Sequence, residues 1–122
     1  MTGASHWRRT SPDWIEFALQ EMGQNGKIGA FKYSTASAHL LSAILTRVTG
    51  TSTREFANKF LFTQIGIDSI NEYPMSSYGY DDLFGKRVKG WVHDPNNITT
   101  GGWGLTLTVR EMARFGQLYL NN

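Results

Sequence analysis

Two capping boxes and a series of glycine stops divide this chain into helices and leave little room for other regular structure. Ser52-Thr53-Arg54-Glu55 and Thr108-Val109-Arg110-Glu111 each place a hydroxyl three residues before a glutamate. In that spacing the two side chains satisfy the exposed amides at a helix start reciprocally. Ser11-Pro12-Asp13 is a third start, with serine as the cap, proline at the first helical position and aspartate against the positive end of the dipole. Trp14, Ile15, Ala18, Leu19 and Met22 follow on one face at helical spacing, and Gly23 stops the run. A second helix is predicted from about Thr35 to Thr49, with Leu40, Leu41, Ile44, Leu45 and Val48 as its apolar stripe and Gly50 at its end. The third helix carries Phe56, Ala57, Phe60 and Leu61 and closes near Gly66. The last turns Val109, Met112, Ala113, Gly116 and Tyr119 inward and Arg110, Arg114 and Gln117 outward.

Between these helices the pattern fails. Gln24 to Gly29 is a polar, glycine-rich loop. Asp68 to Thr100 has no clear period and holds Pro74, Pro95, glycines and isolated aromatics. A loop of that length is uncommon unless it is functional or packed on something else. Strand-like pieces around Val88–Trp91 and Trp103–Thr106 leave room for a short β-hairpin. The expectation is a mainly α fold in a single domain, residues 1–122.

Composition removes several function classes. A formal charge of +2 is too small for a nucleic-acid surface, and the basic cluster Lys86-Arg87-Val88-Lys89 follows Asp81 and Asp82 and reads as a solvated loop. There is no cysteine, hence no disulfide and no thiolate metal site. His6, His39 and His93 are dispersed and lack the short spacing of metal ligands, so no metal site is expected, and His39 on the flank of an apolar helix reads as structural. Gly101-Gly102-Trp103-Gly104 is not followed by the lysine of a phosphate loop and reads as a tight turn positioning Trp103. Neither a membrane-spanning apolar segment nor a signal peptide is visible. The four Trp, seven Phe and five Tyr serve either a core or a surface that meets a partner.

Tyr33 stands just before the second helix. On its own it reads as an aromatic packed where a helix begins. An ordinary tyrosine, with a pKa of about 10, is a poor base at neutral pH unless cations and the helix start favour its phenolate. The order of blocks around it gives it a sharper meaning. Phe31-Lys32-Tyr33-Ser34-Thr35 leads to Val48-Thr49-Gly50, then Arg54-Glu55-Phe56, then Gln64-Ile65-Gly66-Ile67. Trp91-Val92-His93-Asp94-Pro95, Gly101-Gly102-Trp103-Gly104-Leu105 and Thr108-Val109-Arg110-Glu111-Met112-Ala113-Arg114-Phe115-Gly116 come after, and Met1-Thr2-Gly3 before. In this joint order the chain resembles the penicillin-recognising serine hydrolases: class C β-lactamases, DD-peptidases and their esterase relatives.

The resemblance implies the helical region of the α/β serine β-lactamase/DD-peptidase-like fold, whose sheet domain is then a missing partner. It implies acyl transfer through a serine ester on a small-molecule or peptide substrate, without metal or organic cofactor, and an extracytoplasmic or periplasmic setting. Tyr33 becomes the catalytic tyrosine that helps deprotonate the serine and later protonates the leaving group. Ser34 and Thr35 become substrate contacts, and Trp103 borders the cleft. Two departures matter. The nucleophile motif Ser-x-x-Lys and the strand motif Lys-Thr-Gly or His-x-Gly are absent, so the chain reads as an interior fragment, inactive alone. Thr35 stands where the lactamases have asparagine, and it lacks the amide donor, which leaves an esterase, amidase or peptidase reading open.

Two other classes stay in view. Leu40 to Phe60 reads as helix, short turn, helix, the outline of a DNA reader in which Arg47, Arg54 and Lys59 meet phosphates. A pure interaction domain would expose apolar surface and form a homo-oligomer through it.

Overall fold

The computed structural model describes residues 12–24 and 26–121. Asp13 opens the first helix. Its carboxylate accepts the N–H groups of Ile15 at 2.9 Å and Glu16 at 3.0 Å, so α1 (Trp14–Gln20) begins one residue later and Pro12 lies outside it. The cap expected at Ser11 falls outside the described residues, as do Met1-Thr2-Gly3 and His6. Asp13 is the cap by direct hydrogen bonding, where the sequence assigned it only a charge effect on the dipole. Helix α2 (Thr35–Thr49) is capped by Ser34 and stopped by Gly50 in the left-handed region, φ 71°. Both capping boxes form as predicted, at the starts of α3 (Thr53–Ala57) and of the last helix.

Helix α3 does not continue as an α-helix. It passes into a π-helical turn at Asn58–Phe62 and a 3-10 turn at Thr63–Ile65, and it stops at left-handed Gly66. The wider π turn rotates the side chains past the 3.6 period. Phe62 is therefore buried at 3 % exposure, while Phe60, expected inside, is 57 % exposed. The Asn58 amide clasps the backbone of Ile70, donating to its carbonyl at 2.9 Å and accepting its N–H at 2.8 Å.

Among the described residues, the segment without a period supplies half of the buried apolar side chains. Ile70, Leu83, Val88 and Val92 stand beside Trp14, Ala18, Phe62 and Ile67 as the buried apolar residues. A short helix missed by the sequence, α4 (Tyr80–Phe84), brings Leu83 inward against Trp14. The rest is a ribbon of isolated bridges, Glu72 with Trp91, Trp91 with Leu105 and His93 with Thr99, and the described residues contain no strand. The predicted hairpin is thus reduced to single bridges. Gly104 makes the ribbon possible, since at φ 86° a Cβ would lie 2.1 Å from Val92 Cγ2.

Three predicted faces are corrected. On α1, Trp14 and Ala18 are buried but Leu19 and Met22 are exposed. On α2 the polar edge is inside: His39 and Ser42 are buried, while Leu41, Ile44 and Val48 are exposed, Val48 at 79 %. The reason is the neighbour. This edge packs on the 94–101 loop, whose carboxylate and carbonyls require donors, and Ser42 Oγ donates to the Thr99 carbonyl. On α5 (Val109–Leu120), Val109, Met112, Ala113, Gly116 and Tyr119 all face outward, because its described contacts run mainly through the Thr63–Ile65 turn.

Candidate functional site

The residues singled out in the sequence gather at the first turns of α2. Tyr33 precedes the helix in extended chain and is 74 % exposed, with no hydrogen bond to any described residue. Ser34 is the cap, its Oγ accepting the Ser37 N–H at 3.1 Å. Its hydroxyl proton remains free to be given to a ligand, but the oxygen is already engaged by the helix. Thr35 lies half-buried beneath Gly102.

The double glycine is what lets the loop lie on the helix. A Cβ on Gly101 would stand 2.1 Å from the Ala38 carbonyl, and one on Gly102 would stand 2.5 Å from Thr35 Cγ2. Both are backbone-on-helix approaches that only glycine allows. The turn then carries Trp103 back into the core. Its ring lies 5.7 Å from Trp14 and 6.1 Å from His39, and Thr100 Oγ1 donates to the Trp103 carbonyl. Trp103 is thus packed under the loop, half-buried, and Thr35 meets the loop from α2 at Gly102.

A buried pair fastens this arrangement. His39 Nε2 lies 2.9 Å from Asp94 Oδ2, and both side chains are fully buried. Asp94 Oδ1 accepts the N–H groups of Asn96 at 2.9 Å and Ile98 at 2.8 Å, and the Gly101 N–H points to His39 Nδ1 at 3.4 Å. One carboxylate therefore holds its own turn and, through the imidazole, the helix that follows Tyr33. The structural reading of His39 agrees with this burial. Its partner was missed, although an aspartate opening Asp94-Pro95-Asn96-Asn97 carries the chemistry of a side chain that bonds its own turn.

No family model matches this chain, and no curated protein or solved structure matches it.

A second carboxylate organises the far side of the core. Asp82 accepts the N–H groups of Ser76, Ser77 and Tyr78 and the hydroxyls of both serines. These backbone donors, Ser77 foremost, pull its pKa from 3.8 down to about 2. The turn sets Tyr78 at φ 55° with its ring edge-on to Trp14 and 6.0 Å from His93. Burial first, then Asp94, Asp82 and Glu72, push the Tyr78 phenol above its ordinary value.

The Asp82 shift has a defined sign. Its folded-state value lies below the unfolded one, so its contribution is complete above the ordinary carboxylate value and is lost as pH falls through about 2. Glu55 and Glu111, lowered by the Ser52 and Thr108 amides, act in the same direction. Acid unfolding of Asp82→Asn, followed by circular dichroism from neutral pH downward, is expected to show a shallower loss of stability than wild type over that range. An identical slope would refute the role given to this carboxylate.

The cations named for a DNA reader sit differently from one another. Arg54 Nη1 donates to the Ile70 carbonyl at 3.2 Å, Lys59 lies 5.0 Å from the Phe60 ring centroid, and Arg47 is exposed. Among the described residues no group of three His, Asp or Glu side chains is placed to share a metal ion, and no helix is long and apolar enough to cross a membrane.

Proposed function

We propose that this chain is the helical part of a β-lactamase-related serine hydrolase, in which Tyr33 serves acyl transfer on an ester, amide or β-lactam bond. The observation that carries the reading is the position of Tyr33. An exposed phenol without a hydrogen-bond partner among the described residues stands directly before a capped helix of 15 residues. It is thereby presented to a group supplied from elsewhere, next to the cap Ser34 and to Thr35, on which Gly102 packs. A serine hydroxyl is a weak nucleophile and needs such an adjacent base. In this reading the serine and its lysine come from polypeptide outside this segment.

The exposed apolar residues support the partner that the reading requires. Leu41, Ile44 and Val48 on α2, with Val109, Met112 and Tyr119 on α5, are surfaces of the kind that meet another domain. We assign them to the sheet domain of the hydrolase.

The test begins with the reading frame around the segment. It is expected to carry Ser-x-x-Lys ahead of Met1 and Lys-Thr-Gly or His-x-Gly beyond Asn122, and its product is expected to be labelled by a serine-directed fluorophosphonate. The 122-residue chain by itself is expected to hydrolyse neither nitrocefin nor p-nitrophenyl esters above background. A frame without either motif, or Tyr33-dependent turnover by the segment alone, would overturn the reading.

A further inference from the structure

Among the described residues, His39 and Asp94 are the pair of titratable side chains buried completely against each other. The hydrogen bonds around the ring fix where its proton sits. The Gly101 amide can only donate, so His39 Nδ1, 3.4 Å away, is the acceptor and carries no proton. The ring proton is therefore on Nε2, directed at Asp94 Oδ2 at 2.9 Å. The imidazole is a bracket with an acceptor on one end and a donor on the other, and each end holds a different part of the 94–103 loop.

We propose that His39 is a proton-sensitive positioning residue that sets the Gly101-Gly102-Trp103 loop on the first turns of α2. In the neutral ring, Nδ1 holds the Gly101 amide. When Nδ1 takes a proton from solvent, the acceptor becomes a donor and two N–H groups face each other. The bond from Nε2 to Asp94 Oδ2 is kept, because that nitrogen is a donor in both states of the ring. The two ends of the bracket respond differently: the Asp94 turn stays on His39 and Gly101 is released. Gly101 has little slack to absorb this in place, because its backbone lies so close on α2 that a Cβ built there would stand 2.1 Å from the Ala38 carbonyl. Release moves the cover off Thr35 and alters the packing of the Trp103 ring on Trp14 and His39.

From the loop, Asp94 and the Trp103 ring face the imidazole, and from α1 the Trp14 ring. Beside Asp94, His93 donates from Nδ1 to the Asp94 carbonyl at 2.8 Å, with its Nε2 3.9 Å from Glu72. Tyr78 stands against His93 and Trp14, and behind it lies Asp82. His93 and His6 are the other imidazoles of the full chain that must be told apart from His39. The inference is independent of the reaction proposed for Tyr33, because it is read on ring nitrogens and amides and not on turnover.

Nitrogen-15 NMR of the full chain tests it, with long-range imidazole correlations recorded between about pH 8 and about pH 5, the interval in which histidines change charge. The expected result is the Nε2–H tautomer for His39 at the upper end. On acidification the Gly101 amide should shift with the midpoint of the His39 ring, and the Gly102 amide and Trp103 indole should follow. His39→Gln retains a donor for Asp94 without a titrating group, and it should abolish the Gly101 shift while leaving the His93 titration in place. An Nδ1–H tautomer, a ring that stays neutral throughout, a ring that protonates with Gly101 unmoved, or a Gly101 shift that survives His39→Gln would each overturn the proposal. The wild-type titration decides alone if that variant does not fold.

Discussion

Asp94→Ala is expected to destabilise the chain by about 3–5 kcal/mol, because it removes one buried acceptor from several donors, each costing about 1–3 kcal/mol when left unsatisfied. Three groups lose their acceptor at once: the His39 imidazole and the N–H groups of Asn96 and Ile98. The imidazole is fully buried on α2 and Ile98 is half-buried in the loop beneath it, so water replaces the lost oxygens poorly there, whereas Asn96 is exposed. Urea unfolding followed by tryptophan fluorescence measures the loss. Asp94→Asn keeps one acceptor oxygen for the turn and should recover part of it. A double variant with His39→Leu removes the buried imidazole as well but leaves the Asn96, Ile98 and Gly101 amides without their acceptors, so it should not recover wild-type stability. A loss below about 1 kcal/mol for Asp94→Ala, the ordinary effect of a surface change, would show that the pair does not hold the loop.

Tyr33→Phe separates chemistry from folding. In the longer hydrolase proposed above, it is expected to lower kcat by about 10²–10⁴, the usual weight of a positioned acid–base group, with little change in KM. The same substitution should leave the urea midpoint of the 122-residue chain unchanged, because the phenol is 74 % exposed and bonds to nothing described. The contrast with Asp94 is the informative part. Asp94→Ala should damage the fold whatever the chain does, whereas Tyr33→Phe should damage only the reaction. Undiminished kcat in Tyr33→Phe would remove the tyrosine from the mechanism and leave the exposed apolar faces as the main functional feature.

What could be read in the sequence was local. Both capping boxes and the extent of α2 follow from residues within one turn of each other, and the structure shows them. Which face of a helix is covered depends on what covers it, and helical period does not contain that information. The α2 stripe was real as a stripe, but the neighbour was a loop in need of donors, so His39 and Ser42 went inside. Phe60 was misplaced because a π turn is invisible to a 3.6-residue count. The ribbon through Trp91 was hidden for a related reason: isolated bridges bury one residue here and one there, and never generate the alternation that marks a strand. At the candidate site, Tyr33, Ser34 and Thr35 were legible as a group around the start of a helix. The packing of Thr35 under Gly102 and the Asp94 anchor were not, because both join residues far apart in the chain.

That last separation bears on how the protein is born. His39 leaves the ribosome 55 residues ahead of Asp94. At about 5–20 residues per second, helix α2 waits roughly 3–11 s for the carboxylate that its buried edge is shaped to meet. During that interval its polar edge, His39 and Ser42, is satisfied by water in place of the loop. The 94–101 loop closes only that polar edge when it arrives, so the apolar side of α2 is as adhesive after this loop has emerged as before it.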